Sequence, residues 1–450
     1  MATIMLAGGE ILTMAQEPNS ATIEAPKVGW VATQDGKIAL VTYDKSEADK
    51  FLADNPACNV VDCSGMVLMP GLINTHTHVS MTLMRNMTGD MELMEWLNDH
   101  IWPFEALQSE DDITAGAKLG MAEMILGGTT AFVDMYWTEV AVAKAAEQMG
   151  MRALLAESVL DGREDSFKEN LARLVERCKG SELLRPAVGP HAPFTCSPAT
   201  MKLSVETAKK YDTPLTIHIS ESPSEQPMVA ERYGVTPTEY TAKHGALTNR
   251  TIIAHAVHLT DNDIEIIAKS GASVAHNVQS NMKLASGVAP ITELVRRGVN
   301  CTVATDSASS NNDLNMWEEI RTTPFLQRVV SLDPMAISGY DVLYMATRNA
   351  ARAIGYTNDE LGIIRTGALA DIIAVDLTAP HMRPRHNTIS ALVYCATAAD
   401  VRHVVIGGEL RLKDRALVNA PATLEQIIND AESRALALRA QAQRQCKSDS

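Results

Sequence analysis

The histidines and acids of this chain fall in a pattern that suits cation binding. Asn74-Thr75-His76-Thr77-His78 closes an apolar run. Residues two apart on a strand point to the same side, so His76 and His78 can hold one cation together. Three further runs end in the same manner: Leu215-Thr216-Ile217-His218-Ile219-Ser220-Glu221, Ala254-His255-Ala256-Val257-His258 and Ala304-Thr305-Asp306-Ser307. A lone histidine at a strand end is ordinarily a core residue satisfied by a hydrogen bond. An imidazole or carboxylate closing four separate runs asks for a common cause, and a metal site built from nitrogen and oxygen donors supplies one.

Such residues meet only if the elements carrying them bring the run ends together. From about residue 68 to 308 a short apolar, β-rich run is followed again and again by a longer helical pattern. The runs are 67–78, 129–137, 152–161, 185–192, 214–220, 250–259, 272–277 and 299–307. Helical patterns at 111–126, 139–149, 197–211, 260–269 and 291–297 lie among them, and Gly127, Gly150, Gly271 and Gly298 mark ends. The alternation implies a parallel sheet. Eight units of this length fit an α/β fold of the (β/α)8 TIM-like barrel type, whose active site lies at the C-terminal strand ends. The flanks read as short strands at 29–33, 37–42, 370–376, 389–395 and 401–406, with turns at Asp35-Gly36, Ser64-Gly65 and Gly407-Gly408. They are expected to pair into a small β-sandwich domain formed by 1–66 and 363–420, around a barrel at 67–362. Residues 421–450 complete the chain as a helical pattern at 423–445 and a tail.

Composition narrows the function classes. A chain of 450 residues with 46% apolar content has material for a large core. Its 39 basic and 55 acidic residues give a formal charge of −16, which repels nucleic acid and anionic membranes. The first 14 residues hold no Lys or Arg, and Gly8-Gly9-Glu10 interrupts their apolar run, so neither a signal peptide nor a spanning helix is indicated. A cytoplasmic protein acting on a small molecule is expected, with no nucleic-acid or membrane partner and with a homo-oligomer left open. Seven scattered cysteines without a Cys-x-x-Cys pair point to inert thiols. No Gly-rich phosphate loop, Gly-x-Ser-x-Gly elbow or Pro-Cys-x-x-Cys pair occurs, so phosphoryl transfer, serine hydrolysis and the cytidine-type zinc deaminase design drop out.

The His-x-His after the first run, the histidines ending the fifth and sixth and the Asp ending the eighth resemble the amidohydrolase superfamily, over nearly the whole chain. The resemblance implies His76, His78, His218 and Asp306 as ligands of one divalent metal, Zn2+ or else Fe2+, with a position left for water. Binuclear members carry a bridging lysine at the end of strand four. Here that stretch reads Val188-Gly189-Pro190-His191-Ala192-Pro193, so one metal is expected and His255 is left to orient the attacking water. Glu221, three residues after His218, is the feature that separates deamination from other hydrolysis within the superfamily. A metal-bound hydroxide would add to the ring carbon, Glu221 would carry a proton to the neighbouring ring nitrogen, and Asp306 would pass one to the leaving amine. The alternative for Glu221 is a solvated rim residue of a polar loop.

The stretch Trp96-Leu97-Asn98-Asp99-His100-Ile101-Trp102-Pro103-Phe104-Glu105 is similar to the loop after strand one of methylthioadenosine and S-adenosylhomocysteine deaminases. Gly189-Pro190-His191, Ser280-Asn281-Met282-Lys283-Leu284 and the run from Thr305 to Asn312 match the same group. The match implies that Trp96 and Glu105 face the ribose, where a carboxylate accepts hydrogen bonds from two hydroxyls, and that His191 meets the base. Taken alone, Trp96 reads as a core or lid residue. Members that accept S-adenosylhomocysteine carry an arginine shortly after a Met-Arg-Ala-Leu-Leu run, whereas this chain has Glu157 there. A carboxylate facing the substrate would repel another, so methylthioadenosine or adenosine is expected ahead of S-adenosylhomocysteine, with Arg163 near enough in sequence to substitute. The expected reaction is hydrolytic deamination of an adenosine-type nucleoside to its inosine analogue and ammonia. The alternatives are a triazine chlorohydrolase or aminohydrolase, a guanine or pterin deaminase and, from another class, a catalytically inactive assembly or regulatory barrel.

Overall fold

In the computed structural model the described residues are 3–18, 20, 22–87 and 101–448. The N-terminal flank forms β1 (Ile4–Ile11), β2 (Lys27–Gln34), β3 (Lys37–Thr42), β4 (Asn59–Asp62) and β5 (Met66–Pro70). Asp35 and Gly36 join β2 to β3 with both residues left-handed, φ 49° and 76°. That is the two-residue turn whose twist matches a hairpin.

Eight parallel strands follow: β6 (Leu72–Thr77), β7 (Thr129–Tyr136), β8 (Arg152–Val159), β9 (Leu184–Pro190), β10 (Leu215–Ile219), β11 (Thr251–His255), β12 (Ser273–His276) and β13 (Asn300–Val303). The long strands β7 and β8 are buried at every position, as parallel strands covered on both faces must be. Helices start where the sequence caps them. Ser109 and Thr260 form capping boxes, and Gly150 and Gly271 close helices in the left-handed region. The seam between β6 and β13 is closed by side chains and one backbone bond. Asn74 Nδ2 donates to Thr305 Oγ1 at 2.7 Å, Thr75 and Thr302 hydroxyls lie 2.7 Å apart, and Asp306 N–H donates to His76 O at 3.0 Å.

The C-terminal flank adds β14 (Ile372–Asp376), β15 (Val401–Ile406), β16 (Glu409–Lys413) and β17 (Ala416–Leu417). The two flanks meet where β5 runs antiparallel to β14, with Leu68 opposite Ala374, in one nine-stranded mixed sheet with its own apolar core. Arg152 at the start of β8 ties barrel to sheet through a buried bidentate pair with Asp371, at 2.9 and 3.0 Å. The last helix, Leu424–Ser448, packs along the helix Glu110–Leu126 and pairs Arg434 with Asp112 at 2.9 Å.

Two expectations fail for the same reason, that a short apolar run does not reveal its partner. The run 67–78 is two strands, β5 in the flank sheet and β6 in the barrel. Gly71 divides them, where a Cβ would come within 2.1 Å of Thr130 Oγ1. The run 389–395, expected as a strand, is the helix Thr388–Tyr394, because Asn387 accepts from Ser390 N at 2.8 Å and nucleates it. Cys58, Cys63, Cys178, Cys196, Cys301 and Cys395 are free, and burial pushes the Cys63, Cys178 and Cys301 thiols up to about 12, which leaves them inert. Among the described residues no helix is long and apolar enough to cross a membrane.

Candidate active site

The strand ends aim the polar residues inward by sharp backbone turns. Ser220, His255, Ala256 and Asp306 all have positive φ, between 52° and 75°. Left-handed backbone is costly for residues other than glycine and is tolerated where the surroundings over-determine it, often at functional sites.

His76, His78 and His218 offer ring nitrogens lying within 4.8 Å of one another, and His76, His255 and Asp306 form a second such group. Hydrogen bonding settles the tautomers of two rings. His78 donates from Nδ1 to Met135 O, and His218 donates from Nδ1 to His191 O at 2.7 Å. Their Nε2 lone pairs are thus left facing each other 3.4 Å apart. Asp306 Oδ1 lies 3.4 Å from His78 Nε2 and 3.6 Å from His76 Nε2. Both ring nitrogens of His76 are buried without a partner. Unbonded lone pairs turned toward a common point in a dry site repel one another unless a cation sits between them. Three nitrogens and one oxygen fit a divalent metal of the zinc or iron kind.

The electrostatics agree. Burial, and then the charge of His78, holds His76 well below the usual imidazole range, and burial together with the neighbouring imidazoles does the same to His218. Neutral rings are what a metal needs. Burial works to raise the Asp306 carboxyl, but His255, His78 and His76, with a 2.6 Å bond from Ser280 Oγ, bring it down to about 2. Ser310 Oγ adds a second bond to the same oxygen at 2.9 Å.

Beside this group His255 Nε2 stands 3.7 Å from Glu221 Oε2, while its Nδ1 donates to Asn281 Oδ1 at 2.9 Å. Burial, with the charge of Asp306, raises the Glu221 carboxyl despite His255. Burial pulls His255 down, but Glu221 and Asp306 outweigh it and the ring is raised. His191, bonded through Nδ1 to Thr195 Oγ1 at 2.9 Å, is pushed down to about 4 by burial and by His78.

His78, His191, His218, Glu221, His255 and Asp306 line one cleft enclosing about 710 Å³, part of it open to solvent. The same cleft is lined by Trp102, Glu105, Tyr136 and Trp137. Burial raises the Glu105 carboxyl, and Trp137 Nε1 donates to its Oε2 at 3.1 Å. Trp96 lies outside the described residues.

Sequence reasoning passed over several contributors. Trp137 closes a barrel run but carries no ligand-type atom to draw notice. Asn281 and Ser280 stood in a matched motif without a role. The carbonyl of Met135 has no side-chain signal at all. His276, at the end of β12, is fully buried with both ring nitrogens unpartnered and is pushed down to about 3 by burial and by His255. Glu157 departs from expectation: it is 1% exposed and bonds to backbone behind the cleft wall rather than facing a substrate. The repulsion argued from it therefore falls.

Residues 67–411 match the Amidohydrolase family, and the chain belongs to that family of hydrolases. A 5-methylthioadenosine/S-adenosylhomocysteine deaminase of Syntrophobacter fumaroxidans is 42% identical, over 95% of this chain and 97% of that protein. A 5'-deoxyadenosine deaminase of Methanothermobacter thermautotrophicus is 42% identical over 86% and 90%. The crystal structure of an adenosine deaminase from Xanthomonas campestris with bound Zn superposes with a TM-score of 0.91 at 32% identity, over 98% of this chain and 99% of that one.

Proposed function

We propose that this chain hydrolyses the exocyclic amine of an adenosine-type nucleoside, giving the inosine analogue and ammonia, with zinc held by His76, His78, His218 and Asp306. The observation that carries the reading is the presence, in the lining of one cleft, of both Glu221 beside the metal-binding group and Glu105. When bound, the cation supplies a hydroxide nucleophile near neutral pH. Glu221, whose carboxyl is raised by burial, is placed to carry a proton to the ring nitrogen next to the reacting carbon. His255, fixed by Asn281, orients the attacking water, and Asp306 passes a proton to the departing amine. Water and nucleoside are consumed, and ammonia and the inosine analogue leave. Glu105, with Trp96, holds the ribose hydroxyls, and His191 meets the base.

The names of the relatives support a purine nucleoside with an altered 5' group. With Glu157 turned away, methylthioadenosine, adenosine and S-adenosylhomocysteine are all admitted. Arg163, whose guanidinium lies 4.5 Å over the Trp137 ring and whose charge acts on Glu105, is a cation beside that wall. The test is a screen of adenosine, methylthioadenosine, S-adenosylhomocysteine, guanine and chlorotriazines, followed by ultraviolet change and ammonia release. Nucleosides should lead, and a chlorotriazine or guanine turned over faster would refute the reading.

A further inference from the structure

Strand β8 carries, two residues before its end, a buried acid that the chemistry above leaves unused. The Glu157 carboxylate accepts from Thr138 N at 3.0 Å, Glu139 N at 2.7 Å and Asn170 Nδ2 at 3.2 Å. Thr138 begins the helix Glu139–Met149 with no side-chain cap of its own, and its backbone is left-handed at φ 59°. A β-branched residue in that region is strained. The first N–H groups of a helix have no acceptor within it. Glu157 meets both needs from the neighbouring strand, because its oxygens take the place of the missing cap and pin the strained turn.

The pinned turn is the wall that grips Glu105. Immediately before Thr138, Trp137 donates to Glu105 Oε2 at 3.1 Å, and Tyr136 OH donates at 2.8 Å to Gln108 Oε1, three residues beyond Glu105. A shift of the turn would therefore move both bonds that hold the Glu105 segment against β7.

We infer that Glu157 is a positioning residue for substrate recognition: by capping Thr138 and Glu139 it sets Trp137, and through Trp137 the carboxylate of Glu105. The inference rests on the ribose-binding role proposed above for Glu105. It also gives a reason for an acid at a place where a substrate carboxylate was expected to be read.

Glu157→Gln keeps the shape and one acceptor oxygen. Amide hydrogen exchange reads the cap directly: the Thr138 and Glu139 amides should exchange about tenfold faster or more in the variant, with later turns of the helix unchanged. Kinetics read the consequence. For adenosine, kcat/KM should fall about tenfold, chiefly through KM, while the 2',3'-dideoxy analogue, which offers Glu105 no hydroxyls, loses under about threefold at unchanged metal content. In a Glu105→Gln background this selective effect of Glu157→Gln should vanish. Unaltered exchange at the two amides, equal losses on both nucleosides, or an undiminished effect without Glu105 each overturns the proposal. A wild-type protein that deaminates no aminopurine nucleoside refutes the function and with it the recognition role, while the exchange result still decides the cap. Should Glu157→Gln not fold, Asn170→Ala, which removes the 3.2 Å bond to Glu157 together with the longer 3.5 Å contacts to Thr138 Oγ1 and Arg173, takes its place with the same signs and smaller factors.

Discussion

The two walls of the cleft are held in different ways. On one, His78, His218, His255 and Asp306, with His76 buried beside them, stand on or just beyond barrel strands whose backbones are locked by parallel ladders, and both ring nitrogens of His76 have no protein partner. On the other, Glu105 ends the short helix Trp102–Glu105 and Trp137 follows β7, and the two hold each other by one 3.1 Å hydrogen bond. Rigid strands with unspent donors suit chemistry common to every substrate. Segments joined by a few polar contacts suit selection among substrates. The contrast teaches that changes on the first wall should strike turnover of all substrates, and changes on the second should alter their ratio.

The largest effect should come from the chemical wall. Glu221→Gln should lower kcat by about 10³-fold or more on every nucleoside. Elemental analysis should find the metal retained, and loss of metal would instead place Glu221 among the ligands. His76→Ala should abolish both activity and stoichiometric metal, and zinc added after chelator treatment of the wild-type protein should restore both. On the second wall, Glu105→Ala should cost about 10²-fold in kcat/KM for adenosine and little for its 2',3'-dideoxy analogue. Equal losses would erase the distinction between the walls. Smaller again, Arg163→Ala should lower kcat/KM for S-adenosylhomocysteine by about three- to tenfold relative to methylthioadenosine, and an unchanged ratio would remove Arg163 from substrate selection. Least of all in kinetics, Asp371→Asn at the opposite end of the barrel should leave these ratios alone while destabilising the fold by about 3 kcal/mol, because it leaves Arg152 buried without a counter-charge. Urea unfolding measures that cost.

Much of the first wall could be read without coordinates. His76-x-His78, His218, His255 and Asp306 are donors of fixed type at the ends of β-rich runs, and period-two alternation fixes which side each pair faces. Less of the second wall was legible. Trp137 and Tyr136 look like any aromatic strand end, and Glu157 looked like a substrate-facing charge when it is a backbone cap. Strand β5 and the helix Thr388–Tyr394 were misplaced because apolar content states that a segment is buried but not against what.

The linear chain by itself determined the barrel, the pairing of its flanks and the kinds of atoms gathered at the strand ends, since these follow from local periodicity and residue chemistry. Only the tertiary structure decided which nitrogen of each ring faces the cluster, which carbonyl holds it there, and that Glu157 turns to the amides of Thr138 and Glu139. Those choices depend on hydrogen-bond partners that lie far apart along the chain and share a neighbourhood only after the barrel has closed.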